Sequence, residues 1–154
     1  LAFQLLSPIF TNQGECDSVS SRSLTASLIA LCGLSCFLLC FTDSFKDKNG
    51  NVCYGFATFR GLWVIDGSAT LPPEVAAKYR LRVIDFMHAF MSILVFAAVA
   101  LFDQNAVNCF YPTPSGVTKV LLKSLPVGIG VICSMLFVVF PTKRHGIGFP
   151  ITAN

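Results

Sequence analysis

VIDFMHAFMSILVFAAVALF, residues Val83–Phe102, decides the fold class of this chain. From Ala89 to Phe102 only Ser92 interrupts the apolar run, and at 1.5 Å per residue a helix of this length spans a hydrocarbon core of about 30 Å. Ionisable groups stand only at its ends, with Arg82, Asp85 and His88 in front and Asp103 behind. The whole chain has the same character: 54% of its 154 residues are hydrophobic, 12% are charged, and the mean hydropathy is +0.69. A soluble domain with a solvated surface does not have this composition. The expectation is one integral membrane domain over residues 1–154.

Two more runs match the first in length. Leu24–Phe41 carries no charge and ends at Thr42-Asp43, and Val120–Phe140 holds only Lys123 before stopping at Pro141-Thr142-Lys143-Arg144. A fourth, Leu1–Phe10, spans about half the hydrocarbon and reads as the end of a helix whose start is missing. The predicted architecture is therefore all-α: a four-helix transmembrane bundle with a small β-hairpin insertion in the loop between helices 2 and 3. The spans are 1–10, 24–41, 83–102 and 120–140, with a loop at 42–82 and a tail at 141–154.

Lysines and arginines orient it. Eight of the 11 fall in the second loop (Lys46, Lys48, Arg60, Lys78, Arg80, Arg82) and the tail (Lys143, Arg144), against Arg22, Lys119 and Lys123 on the other side. The second loop, the tail and both termini are expected in the cytosol. The third helix then enters from that side, so Asp85 and His88 lie in its first two turns. The cost of about 2.5–3.5 kcal/mol for an acid at the bilayer centre largely disappears there. Asp85 and His88 stand at i, i+3 and share a helix face. Asp43, Arg82, Lys143, Arg144 and His145 converge at the same level. Asp43, Arg82, Asp85, His88, Lys143 and Arg144 are the candidate site, read as an interfacial ion-pair collar in preference to a proton or ion path.

The second loop has its own pattern. Asn49-Gly50 followed by alternating Val52, Tyr54 and Phe56, then Gly61-Leu-Trp-Val-Ile, predicts two or three antiparallel strands. Pro72-Pro73-Glu74 opens a short helix over Val75–Leu81, expected to run into the third membrane helix. Its Lys78 and Arg80, with Arg82, are candidate lipid-headgroup contacts.

Of the 7 cysteines, only Cys16 and Cys109 are expected on the lumenal side, six and seven residues beyond their helix ends, which suits a disulfide between them. The Cys32, Cys36, Cys40 row reads as packing and not as a metal site. Gly128, Gly130 and Ser134 read as a surface for close helix approach. Phosphate loops, nucleophile elbows and zinc-binding motifs are absent, so no catalytic, cofactor or metal residues are assigned and an enzyme is not expected.

Several strings are distinctive: LLSPIFTNQGEC, SCFLLCFTDSFKD, YGFATFRGLWV, KYRLRVIDFMHAF, CFYPTPS, LPVGIGV and FPTKRHGIGFP. In order and spacing they resemble the DMP family of plant membrane proteins, over essentially the whole chain. The resemblance implies four membrane helices with both termini cytosolic, residence in the endoplasmic reticulum or vacuolar membrane, and a part in membrane remodelling during senescence and cell death. LLSPIFTNQGEC and DQNAVNCFYP resemble the vegetative type more than the sperm-expressed branch. Family members typically carry an N-terminal extension and an LPTGT-like opening that this sequence lacks, so the chain reads as truncated. The expected partners are membrane lipids and a homo-oligomer or another membrane protein, not nucleic acid. An oligomeric channel or transporter, with polar helix residues lining its path, is the alternative.

Overall fold

The computed structural model describes residues 1–67, 70–149 and 151; the parts of the expected loop and tail at 68–69, 150 and 152–154 lie outside the described residues. The elements in order are α1 (Ala2–Phe10), α2 (Val19–Leu39), β1 (Thr42–Lys46), β2 (Val52–Thr58), β3 (Gly61–Val64), α3 (Pro73–Ala76), α4 (Val83–Phe102), α5 (Gln104–Phe110) and α6 (Gly116–Val139). Three of them, α2, α4 and α6, are long and apolar enough to cross a membrane. The nine-residue α1 is not, so among the described residues the expected four-helix bundle becomes three membrane-length helices and a small sheet.

Hydropathy located these helices well and their ends less well. α4 has the expected bounds because polar residues close it on both sides. α2 begins at Val19 and not Leu24, and α6 at Gly116 and not Val120, because polar first turns are helical without being apolar. Their last residues are Leu39 and Val139, short of the expected Phe41 and Phe140. α5 was not foreseen. Asp103 caps it, its carboxylate accepting from the backbone N–H groups of Asn105 at 2.9 Å and Ala106 at 3.1 Å. That accounts for the acid at the end of so apolar a run.

The chain divides into two compact units. The first comprises Leu1–Cys36 and Met91–Val139. Phe3, Leu28 and Ala106 form its buried centre, and the Phe3 ring meets Phe96 edge-on at 5.3 Å. A left-handed run at Asn12, Gln13 and Gly14 turns the chain after α1. Cys16 and Cys109 are joined in a disulfide, Cα atoms 4.8 Å apart, and both are buried. Among the described residues nothing makes the expected close approach at Gly128 and Gly130: a Cβ added at either would meet no atom within 4 Å.

The second unit comprises Phe37–Phe90 and the segment from Phe140 onward. Its sheet has the order β1-β2-β3, antiparallel throughout, with Thr42 opposite Phe56 and Phe56 opposite Trp63. The third strand extends the hairpin that the Asn49-Gly50 signal marks, and Gly50 takes φ +82° in that turn. Gly55 faces the neighbouring strand closely: a Cβ there would lie 2.6 Å from the Trp63 carbonyl oxygen. Phe41, Phe45, Ala57, Leu62 and Ala89 are buried, and the Phe41 ring sits edge-on 5.1 Å from both Phe37 and Phe86.

The helix expected over Val75–Leu81 is shorter than its sequence suggested. Pro73 starts α3, a 3-10 turn follows at Ala77–Tyr79, and Arg80 then adopts an extended backbone (φ −58°, ψ 146°). It does not run into α4. The Leu81 N–H bonds instead to the Thr58 carbonyl at 3.2 Å, which ties this connection to the sheet.

Candidate functional site

Three local structures in the second unit bring ionisable groups together. The first is the α4 N-terminus, where Arg82 occupies the cap position and Asp85 the third helical position. The Asp85 carboxylate reaches back to accept the Arg82 backbone N–H at 2.7 Å. This is half of a capping box, and the helix dipole favours an acid there. The second is β1, which places Asp43 between Thr42 and Ser44, all three buried. The third is the segment after α6, which returns to β1. Ser44 donates from its hydroxyl to the His145 carbonyl, and the Thr42 hydroxyl oxygen accepts the Ile147 N–H at 3.0 Å.

Gly146 makes that return possible. A Cβ on it would lie 2.7 Å from the Thr42 carbonyl oxygen, so only a glycine lets the two backbones approach this closely.

Arg144 is the centre of the arrangement. Its Nε donates to Asp85 Oδ1 at 2.7 Å and Nη2 to Asp85 Oδ2 at 2.6 Å, a bidentate fork. Nη1 donates to Asp43 Oδ2 at 3.2 Å and to the Tyr79 carbonyl at 3.4 Å, while Nη2 also reaches the Arg80 carbonyl at 3.0 Å. The Arg144 side chain is 11% exposed and each carboxylate side chain 8%. Asp43 Oδ1 accepts the backbone N–H groups of Ser44 at 2.9 Å and His145 at 3.1 Å, so the charge of Asp43 is also shared with β1 and the returning segment.

Burial disfavours the charged guanidinium, but the hydrogen bonds and charge of Asp85, together with Asp43, outweigh it and hold Arg144 above its usual range. Burial, then the charge on Asp43, pushes the Tyr79 phenol up. His88 lies one turn beyond Asp85, buried, with Nε2 2.6 Å from the Phe140 carbonyl oxygen. A carbonyl only accepts, so Nε2 carries the proton in this contact.

Of the candidate residues, Asp43, Asp85 and Arg144 are thus in direct contact, and His88 holds the carbonyl that precedes the returning segment. Arg82 contributes its backbone N–H. The Arg82 and Lys143 side chains line the adjoining cavity without an ion pair among the described residues. Lys78 lines it too, whereas Arg80 contributes its carbonyl. Thr42, Ser44 and Gly146 were not candidates. The FTDSF and KRHGIG strings held them, but no spacing rule pairs segments about a hundred residues apart. No group of three or more His, Cys, Asp or Glu residues suited to a metal occurs among the described residues.

Residues 1–149 match the sequence family described as "Protein of unknown function (DUF679)". The chain is similar to Protein DMP6 of Arabidopsis thaliana, at 65% identity over 154 residues that cover 100% of this chain and 72% of that relative. It is similar over the same extent to Protein DMP4 of that plant, at 63%. With Protein DMP8 it shares 37% over 160 residues, covering 96% of this chain and 65% of the relative. No solved structure matches it.

Proposed function

The chain belongs to the plant DMP family, and from that premise we propose that it is a non-enzymatic, multi-pass endomembrane protein that remodels or fuses membrane. On this reading Ala2–Phe10 belongs to a fourth membrane helix, the sheet and the segment after α6 face the cytosol, and the protein resides in the endoplasmic reticulum or vacuolar membrane. The orientation follows from eight of 11 basic residues lying on that side.

One observation carries the reading: the second unit exposes large aromatics beside cations. Phe59 is 75% exposed and Trp63 61%, with Arg60 between them at the β2–β3 turn. Lys78, Arg80 and Arg82 are exposed as well. Aromatics suit the level of the headgroups and the bases suit an anionic leaflet, so this surface is fitted to pull on lipid. The Arg144 clamp supports the same reading, because its carboxylates are already bonded and not disposed to carry ions.

Reconstitution tests it. Vesicles containing the purified protein are expected to tubulate or cluster, and a Phe59→Ser/Trp63→Ser variant to lose that effect with its fold intact. Vesicles of unchanged shape that show a pH-gated ion flux would replace this reading with the oligomeric channel.

A further inference from the structure

The cavity beside the Arg144 clamp encloses about 410 Å³, within the size range of small-molecule sites. Its inner side is the clamp itself, with Asp43, Asp85 and His88 buried. Its rim carries three further cations, Lys78, Arg82 and Lys143, all exposed and none in an ion pair among the described residues. Counting Arg144, four basic side chains face two carboxylates, which leaves two positive charges uncompensated when the histidines are neutral. Cations gathered around one hollow repel one another unless an anion joins them.

The start of α4 sets which anions reach it. Val83 opens a helix long and apolar enough to cross a membrane, and Arg82 immediately precedes it. A hollow at the mouth of a crossing helix lies at headgroup depth and not in hydrocarbon. The geometry points to this cavity as a binding site for a phosphate monoester on a lipid headgroup, held by Lys78, Arg82 and Lys143. A phosphate monoester carries about −1.5 to −2 at neutral pH, which matches the excess of two positive charges better than a singly charged diester does. Arg82 supplies a fork for two phosphate oxygens, and the lysines supply point charges. Arg144 is not a ligand, because its nitrogens are engaged with Asp85, Asp43 and the carbonyls of Tyr79 and Arg80. The inference rests on the membrane setting of the reading above, not on remodelling.

Native mass spectrometry of the full chain from mixed-lipid nanodiscs tests it, comparing phosphatidic acid, a monoester, with phosphatidylglycerol, an anionic diester. Phosphatidic acid is expected to be retained about tenfold better, as one or two additional charge-assisted bonds would provide. Lys78→Gln/Arg82→Gln/Lys143→Gln should abolish that preference at unchanged melting temperature. Lys46→Gln/Lys48→Gln, which removes bases outside the cavity, should keep it. If the triple variant melts early, Lys143→Gln alone must still lower the preference. Equal retention of both lipids, or a preference that the cavity variants leave unmoved, overturns the site. Displacement of the lipid by glycerol 3-phosphate at equal concentration overturns the lipid assignment in favour of a free phosphate ester. Retention is read by mass, so a chain that leaves vesicle shape unchanged still gives a result here.

Discussion

Arg144 and Asp85 meet through two parallel hydrogen bonds, Nε to Oδ1 at 2.7 Å and Nη2 to Oδ2 at 2.6 Å, although 59 residues separate them in the chain. Asp43 receives the same guanidinium through one longer bond of 3.2 Å. The two acids therefore depend on Arg144 unequally.

Removing Arg144 strands two carboxylates in a site that is nearly closed to water. Arg144→Met is expected to destabilise the protein by about 3–5 kcal/mol, the range for breaking one side of a buried ion pair. Arg144→Lys keeps the charge but not the fork and should fall between the two. In double-mutant cycles followed by melting in detergent, the Arg144–Asp85 coupling is expected to exceed the Arg144–Asp43 coupling. A larger coupling to Asp43 would contradict the geometry.

Alkaline pH separates two groups of this site. Burial and Asp43 raise the Tyr79 pKa above the ordinary 10.0, so the folded state favours the neutral phenol. The stability this contributes is complete below pH 10.0 and is lost as pH rises through the folded value. Arg144 is also raised, and its contribution persists over this whole window. Tyrosinate absorbance should show one of the 3 tyrosines titrating late, and Tyr79→Phe should remove that late component. A late component surviving in the variant would assign it elsewhere.

The Cys16–Cys109 disulfide closes 93 residues of chain. Cys16→Ser is expected to cost about 2–5 kcal/mol. Alkylation of denatured protein should modify five cysteines without reductant and all 7 after reduction. Seven modified without reduction would show that the bond is absent.

Two glycines should respond differently to one added methyl group. Gly146→Ala drives a Cβ towards the Thr42 carbonyl oxygen and is expected to destabilise by about 1–3 kcal/mol, by analogy with overpacking. Gly128→Ala meets open space and should stay within about 0.5 kcal/mol. Equal melting temperatures for both variants would argue against the close approach of the returning segment to β1.

Much of the fold was legible because one signal dominates it. Val83–Phe102 is a helix of the expected extent since a run that is apolar from Ala89 to Phe102 can satisfy its backbone only within itself once in lipid. The polar first turns of α2 and α6 escaped, because hydropathy marks what lipid accepts and not where helical hydrogen bonding begins. α5 left a trace in Asp103, a capping residue, but its seven residues are too few for a periodic pattern. The helix expected over 75–81 failed because Leu81 bonds to Thr58 in the sheet, a tertiary contact that local propensity does not contain. In the site, the convergence of acids and bases followed from topology alone. Which base would take the acids did not, since Arg82, Lys143 and Arg144 lie at similar depth. The choice of Arg144 depends on Gly146 docking at Thr42, which brings one guanidinium within reach of both carboxylates.

Arg144 emerges from the ribosome 101 residues after Asp43. At about 5–20 residues per second that interval lasts roughly 5–20 s, and the whole of α6 is made within it. Until then the nascent chain holds Asp43 and Asp85 without their shared counter-ion. A chain stalled within α6 holds both acids beside the start of a membrane helix without the guanidinium they share, and the clamp closes only after translation has passed Arg144.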